Sequence, residues 1–144
     1  MQLSKYFTLA EVTASETAVR KSIDNTPSAE VIENLREACR RADEVRELLG
    51  HPVVVLSGYR SPKLNAVIGG SKTSSHMQGE ALDMICPMFG TPADVFKAIR
   101  ESGIKFDQLI LEFAGKPNAW VHIGFGRAMR GQVLIYDGKT YGRA

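Results

Sequence analysis

From Val31 to Leu49, the residues Val31, Leu35, Ala38, Cys39, Ala42, Val45 and Leu49 recur every three or four positions. That spacing lines one side of an amphipathic α-helix of roughly five turns. Thr26-Pro27 reads as its cap and first-turn proline, and Gly50 as its end. Glu33, Arg36, Arg40, Glu44 and Glu47 fill the opposite, solvated side. A helix with one apolar stripe must bury that stripe against other elements.

The rest of the chain supplies those elements. Residues 6–20 read as short helical turns, and Val53-Val54-Val55-Leu56 as a buried strand. Ala81–Ile85, Gln108–Phe113 and Ala119–Phe125 read as further strands. Thr91-Pro92-Ala93-Asp94 opens a second helix lined by Val95, Ala98 and Ile99. Val133–Tyr136 and Lys139–Tyr141, joined by Asp137-Gly138, predict a terminal hairpin within 132–141. Two main helices among about five short strands give an α+β fold, a small, mostly antiparallel sheet. At 144 residues the chain is expected to form one domain, 1–144. Between Ser57 and Gly79 lies a stretch rich in Gly, Ser, Asn and Pro, read as a loop; loops this long in compact domains usually carry function.

Composition narrows the class. Apolar residues at 44% and charged residues at 24% are ordinary for a globular chain, which excludes disorder, collagen and coiled coil. No run reaches the roughly 18 apolar residues of a membrane span. The start, MQLSKYFTLAEVTASE, lacks the apolar core of a signal peptide, so a cytoplasmic origin is expected. Cys39 and Cys86 lack metal-ligand spacing and read as reduced, buried thiols. The net charge of +2 is small for a nucleic-acid binder. It is unevenly spread: from Lys116 onward five basic residues face Asp137 alone, while the remainder is net −2. That basic end could steer the protein to an anionic envelope surface, or serve only solubility.

Three histidines are present. His51, between Gly50 and Pro52, reads as a turn residue. His76 precedes Asp83 by seven residues across Gly79, where the chain can turn. In Trp120-Val121-His122-Ile123-Gly124, strand alternation sends Val121 and Ile123 to the core and puts His122 on the other face with Trp120. Two neutral imidazoles and one carboxylate make a zinc site with a position left open. Each residue also has a structural explanation, and spacing alone does not decide between them.

The combination is more specific. Ser57-Gly58-Tyr59-Arg60-Ser61-Pro62, Leu64-Asn65, Gly69-Gly70-Ser71, Ser74-x-His76-x-x-Gly79-x-Ala81-x-Asp83 and Trp120-Val121-His122-Ile123 follow in this order. The string resembles the M15 family of zinc peptidases, similar to D-Ala-D-Ala carboxypeptidases and phage endolysins, over about residues 3–125. The resemblance implies one Zn2+ per chain, held by His76, Asp83 and His122 at the sheet face. It implies that Arg60 stabilises an oxyanion or grips a carboxylate, and that Ser74 bonds the substrate backbone. Tyr59 and Trp120 could line the cleft or pack in the core. The implied substrate is the peptidoglycan stem peptide, cut at D-Ala-D-Ala or at the D-Ala–diaminopimelate crosslink. A phage enzyme of this kind is a monomer released to the host wall with a holin's help.

The general base departs from the best-known pattern. Many M15 members carry an acid three positions before the last histidine ligand, and here that position is Ala119. Glu112 is the nearest upstream acid, on the strand face shared by Gln108 and Ile110, with Leu109, Leu111 and Phe113 on the other. It is expected to act as general base and then as general acid to the leaving amine. Glu80 and Asp107 are weaker substitutes. The missing acid also keeps open a non-catalytic, zinc-containing wall-binding module, and the scissile bond could instead be L-Ala–D-Glu.

Overall fold

The computed structural model describes residues 1–143. Helix α1 (Leu9–Thr13) is capped by a reciprocal bond pair between Thr8 and Glu11, and α2 (Glu16–Arg20) by Ser15. These are the turns expected for residues 6–20. The long helix is α3 (Ala29–Leu49), and every position of its predicted stripe except Val31 is buried. Its cap lies further along than expected. The Asp24 carboxylate accepts from the Thr26 N–H, so Thr26-Pro27 belongs to a turn, and Ser28 accepts from the Val31 N–H. Gly50 ends α3 in the left-handed conformation.

Six strands form one sheet: β1 (Val54–Ser57), β2 (Ala81–Ile85), β3 (Gln108–Glu112), β4 (Trp120–Gly124), β5 (Gln132–Tyr136) and β6 (Tyr141–Arg143). Their order is β1-β2-β4-β3-β5-β6, antiparallel except for β3 with β5. Leu82, Met84, Leu109, Leu111, Val121 and Ile123 cover one sheet face. They pack in a single core with α3 and with α5 (Pro92–Glu101), which a Thr91–Asp94 capping box starts. The architecture is the expected α+β fold. Cys39 and Cys86 are free and buried, and burial pushes the Cys39 thiol up to about 12. Among the described residues, no helix is long and apolar enough to cross a membrane.

Four local expectations are corrected. The run Val53–Leu56 is not a buried strand: β1 is a sheet edge, with Val54 45% and Leu56 48% exposed. The stretch 57–79 is not all loop: it holds α4 (Pro62–Ile68), capped by Ser61, and a 3-10 helix (Ser75–Gln78). The terminal hairpin turns over four residues rather than at Asp137-Gly138 alone. The Asp137 carboxylate accepts from the N–H groups of Lys139 and Thr140, so β6 starts only at Tyr141. Phe113 leaves its predicted face, because a positive φ of 53° breaks the alternation and turns its ring onto Trp120 and Tyr136.

Gly79 joins the 3-10 helix to β2 at φ 73°. A Cβ there would lie 2.9 Å from Val31 Cγ1 and 3.0 Å from Leu35 Cγ. Gly79→Ala is therefore expected to destabilise the protein by about 2–4 kcal/mol in chemical denaturation, combining left-handed strain with overpacking.

Candidate active site

The sheet face opposite the core carries the polar residues. Asp83 on β2 and His122 on β4 stand directly opposite one another. His76 arrives from the 3-10 helix, where Ser74 Oγ accepts its backbone N–H at 3.2 Å. Asp83, His76 and His122 are all buried, and one ligand atom from each lies within 4.8 Å of the others. The three residues singled out in the sequence thus converge.

Their hydrogen bonds fix which atoms face inward. His76 Nδ1 lies 2.7 Å from the Gly58 carbonyl oxygen, which only accepts, so Nδ1 carries the proton. A neutral ring then turns its Nε2 lone pair toward Asp83 Oδ1, 3.2 Å away. His122 Nδ1 reaches the same oxygen at 2.9 Å. Burial pushes the Asp83 carboxyl up, but the charge and hydrogen bonds that His76 and His122 bring when protonated outweigh burial and hold it below the ordinary carboxylate range; with neutral rings that charge must come from elsewhere. A lone pair aimed at a carboxylate is repulsive unless a positive charge sits between them. A divalent cation meets that need, and two imidazoles with one carboxylate suit zinc. The carbonyl of Gly58 sets the ring tautomer, as outer partners of metal-binding histidines commonly do.

A cleft of about 550 Å3 opens over these atoms. Glu112 lines it from the end of β3, half-buried. In the β3–β4 register Ile110 faces His122 and Glu112 faces Trp120, so Glu112 is the diagonal neighbour of the histidine. Burial pushes its carboxyl up, and Asp83 adds to this; His122 and Arg60 oppose it without cancelling it. Arg60 lines the cleft too. Its Nη2 lies 3.4 Å from Ser74 Oγ, while its buried Nε has no partner. Ser74 thus caps the 3-10 helix and also faces the cleft.

Trp120 lines the cleft with an unpartnered Nε1. Tyr59 is 7% exposed and packs in the core, reaching only an adjoining second lobe. The two alternative acids are placed differently. Glu80 lies outside the cleft and lines a separate pocket with Phe125 and Arg127. Asp107 lines it but is held by Arg130, which donates from Nε at 3.0 Å and Nη2 at 2.9 Å. The terminal hairpin contributes a wall not foreseen from sequence: Leu134 and Tyr141 face the cleft because β5 lies parallel beside β3. Only the odd-even alternation of Gln132, Leu134 and Tyr136 hinted at a shared face.

Donors grouped in this way on the floor of an open cleft are those of a metal-dependent hydrolase. The chain belongs to the Peptidase M15 family, whose family model matches residues 5–124. Its members are metallopeptidases, in general zinc-dependent. No curated protein matches the chain.

Proposed function

We propose that this protein is a zinc peptidase of bacterial cell walls. It would hydrolyse stem-peptide or crosslink bonds adjoining D-Ala in peptidoglycan and serve a phage as its lysis enzyme. The carrying observation is that the Glu112 carboxylate shares one cleft with His76, Asp83 and His122. A carboxylate there supports catalysis over mere wall binding, since Ala119 offers no acid. Zinc held by these three residues supplies the Lewis acid that polarises the scissile carbonyl and acidifies water. Glu112 takes the proton from the attacking water and returns it to the leaving amine as the C–N bond breaks. Arg60 stabilises the negative charge that develops on the carbonyl oxygen. Ser74, whose oxygen accepts from His76 and Arg60, keeps its own proton for a substrate carbonyl. Trp120 flanks the reacting bond, and Tyr59 floors the adjoining lobe. Mass spectrometry of muropeptides after digestion tests the bond. New ends at D-Ala are expected; free stem peptides lacking L-Ala would show the L-Ala–D-Glu bond to be cut instead.

The pH profile follows from Glu112. A base must be ionised, so kcat/KM falls as pH drops through the Glu112 pKa; burial raises that pKa in the metal-free protein, and a bound divalent cation would lower it. The Arg60 charge lowers that pKa, so in Arg60→Gln the acidic limb is expected to move to higher pH. A pH series of kcat/KM for both proteins measures the shift.

A further inference from the structure

The metal cleft does not end at the metal residues. A second lobe of about 610 Å3 adjoins it, and the two share Arg60, Asp83 and Trp120 as their common wall. One lobe runs toward β5 and β6, the other toward β1 and the α1–α2 junction at Ala14–Thr17. The donor cluster therefore borders both lobes. Arg60 lines both lobes, so it can be reached from either side of the cluster.

The second lobe is built to hold main chain. Val55, Leu56 and Ser57 all line it. β1 shifts register against β2 between Val55 and Ser57 and leaves Leu56 outside the pairing, so all three residues meet the lobe along the strand's outer edge. That edge is open: β1 pairs only with β2, and among the described residues no other element bonds to the backbone of Val54–Ser57. Leu56 and Ile68, 48% and 46% exposed, give the lobe an apolar lining. An unpaired strand edge is a template for an extended peptide.

Resting on the peptidase reading above, we infer that the protein is an endopeptidase whose substrate lies extended along the β1 edge on one side of the scissile bond. A carboxypeptidase needs room for chain on one side of the scissile bond only; here the donor cluster borders two lobes.

The test uses purified peptidoglycan carrying both crosslinked dimers and uncrosslinked pentapeptide monomers, with products read by mass spectrometry. The expected result is cleavage at an internal bond with chain on both sides. Leu56→Glu and Ile68→Glu, both at exposed positions, are expected to lower kcat/KM on that material at least tenfold with metal content unchanged. Synthetic peptides truncated on the side that lies along β1 are expected to be cut equally by variant and wild type. Release of terminal D-Ala from pentapeptides alone, with every internal bond intact, overturns this inference and leaves the peptidase reading standing. Internal cleavage that both variants perform at the wild-type rate overturns the β1 edge as the binding site. No cleavage of any bond overturns the peptidase reading itself, and this inference with it.

Discussion

Replacing Glu112 with glutamine is expected to lower kcat by about 10^2–10^4-fold, the range a positioned general base contributes, while metal content stays unchanged. Glutamine matches glutamate in size and can still sit at the end of β3. It lacks only the basic oxygen. KM should change little, because the loss falls on a proton transfer made in the transition state. Among the described residues no other carboxylate is placed to take over. Asp107 is held by Arg130 in a two-point ion pair, Glu80 lies outside the cleft, and Asp83 is enclosed between two imidazoles. Steady-state kinetics alongside metal analysis separates a lost base from a lost metal. If Glu112→Gln retains wild-type kcat, the base lies elsewhere.

His76→Ala acts on the other half of the site. His76 is 1% exposed and is the only one of the three proposed metal ligands that does not lie on a strand. Alanine there removes one of three donors, and the bound metal is expected to fall from about one equivalent to near none, with hydrolysis lost. The metal-free fold also suffers. The Gly58 carbonyl loses the imidazole donor 2.7 Å away, and a buried group left unpaired costs about 1–3 kcal/mol. Thermal denaturation distinguishes the two effects. Zinc at 100 times its Kd stabilises a folded protein that binds it by about 2.7 kcal/mol. The wild-type Tm should therefore rise on adding zinc, whereas that of His76→Ala should not.

Much of the site was legible because its chemistry is written in residue types and short periods. Alternation along Trp120–Gly124 placed His122 opposite the core, and the same rule placed Glu112 with Ile110 on β3. What the sequence hid depends on long-range placement. Val53–Leu56 has the composition of a buried strand, but a strand becomes an edge only through what its neighbours leave uncovered. The parallel pairing of β5 with β3 depends on a path past β4 that no local pattern records. It brings Tyr141 and Leu134 to the cleft from beyond the matched family region. One miss had a local signal. Ser61-Pro62 starts α4 as Thr91-Pro92 starts α5, yet a seven-residue helix has too few apolar repeats to show its period. Phe113 has none, since a non-glycine residue at φ 53° defies the alternation used to place it.

The measurement that bears most directly on a metal-dependent peptidase is removal and return of the metal. Wild-type protein is stripped with a chelator, dialysed, and assayed on purified peptidoglycan as zinc is added back. The expected result is no hydrolysis in the stripped protein and recovery that levels off at one equivalent of zinc per chain, with Glu112→Gln taking up the same equivalent and remaining inactive. Full hydrolysis by the stripped protein would contradict the account.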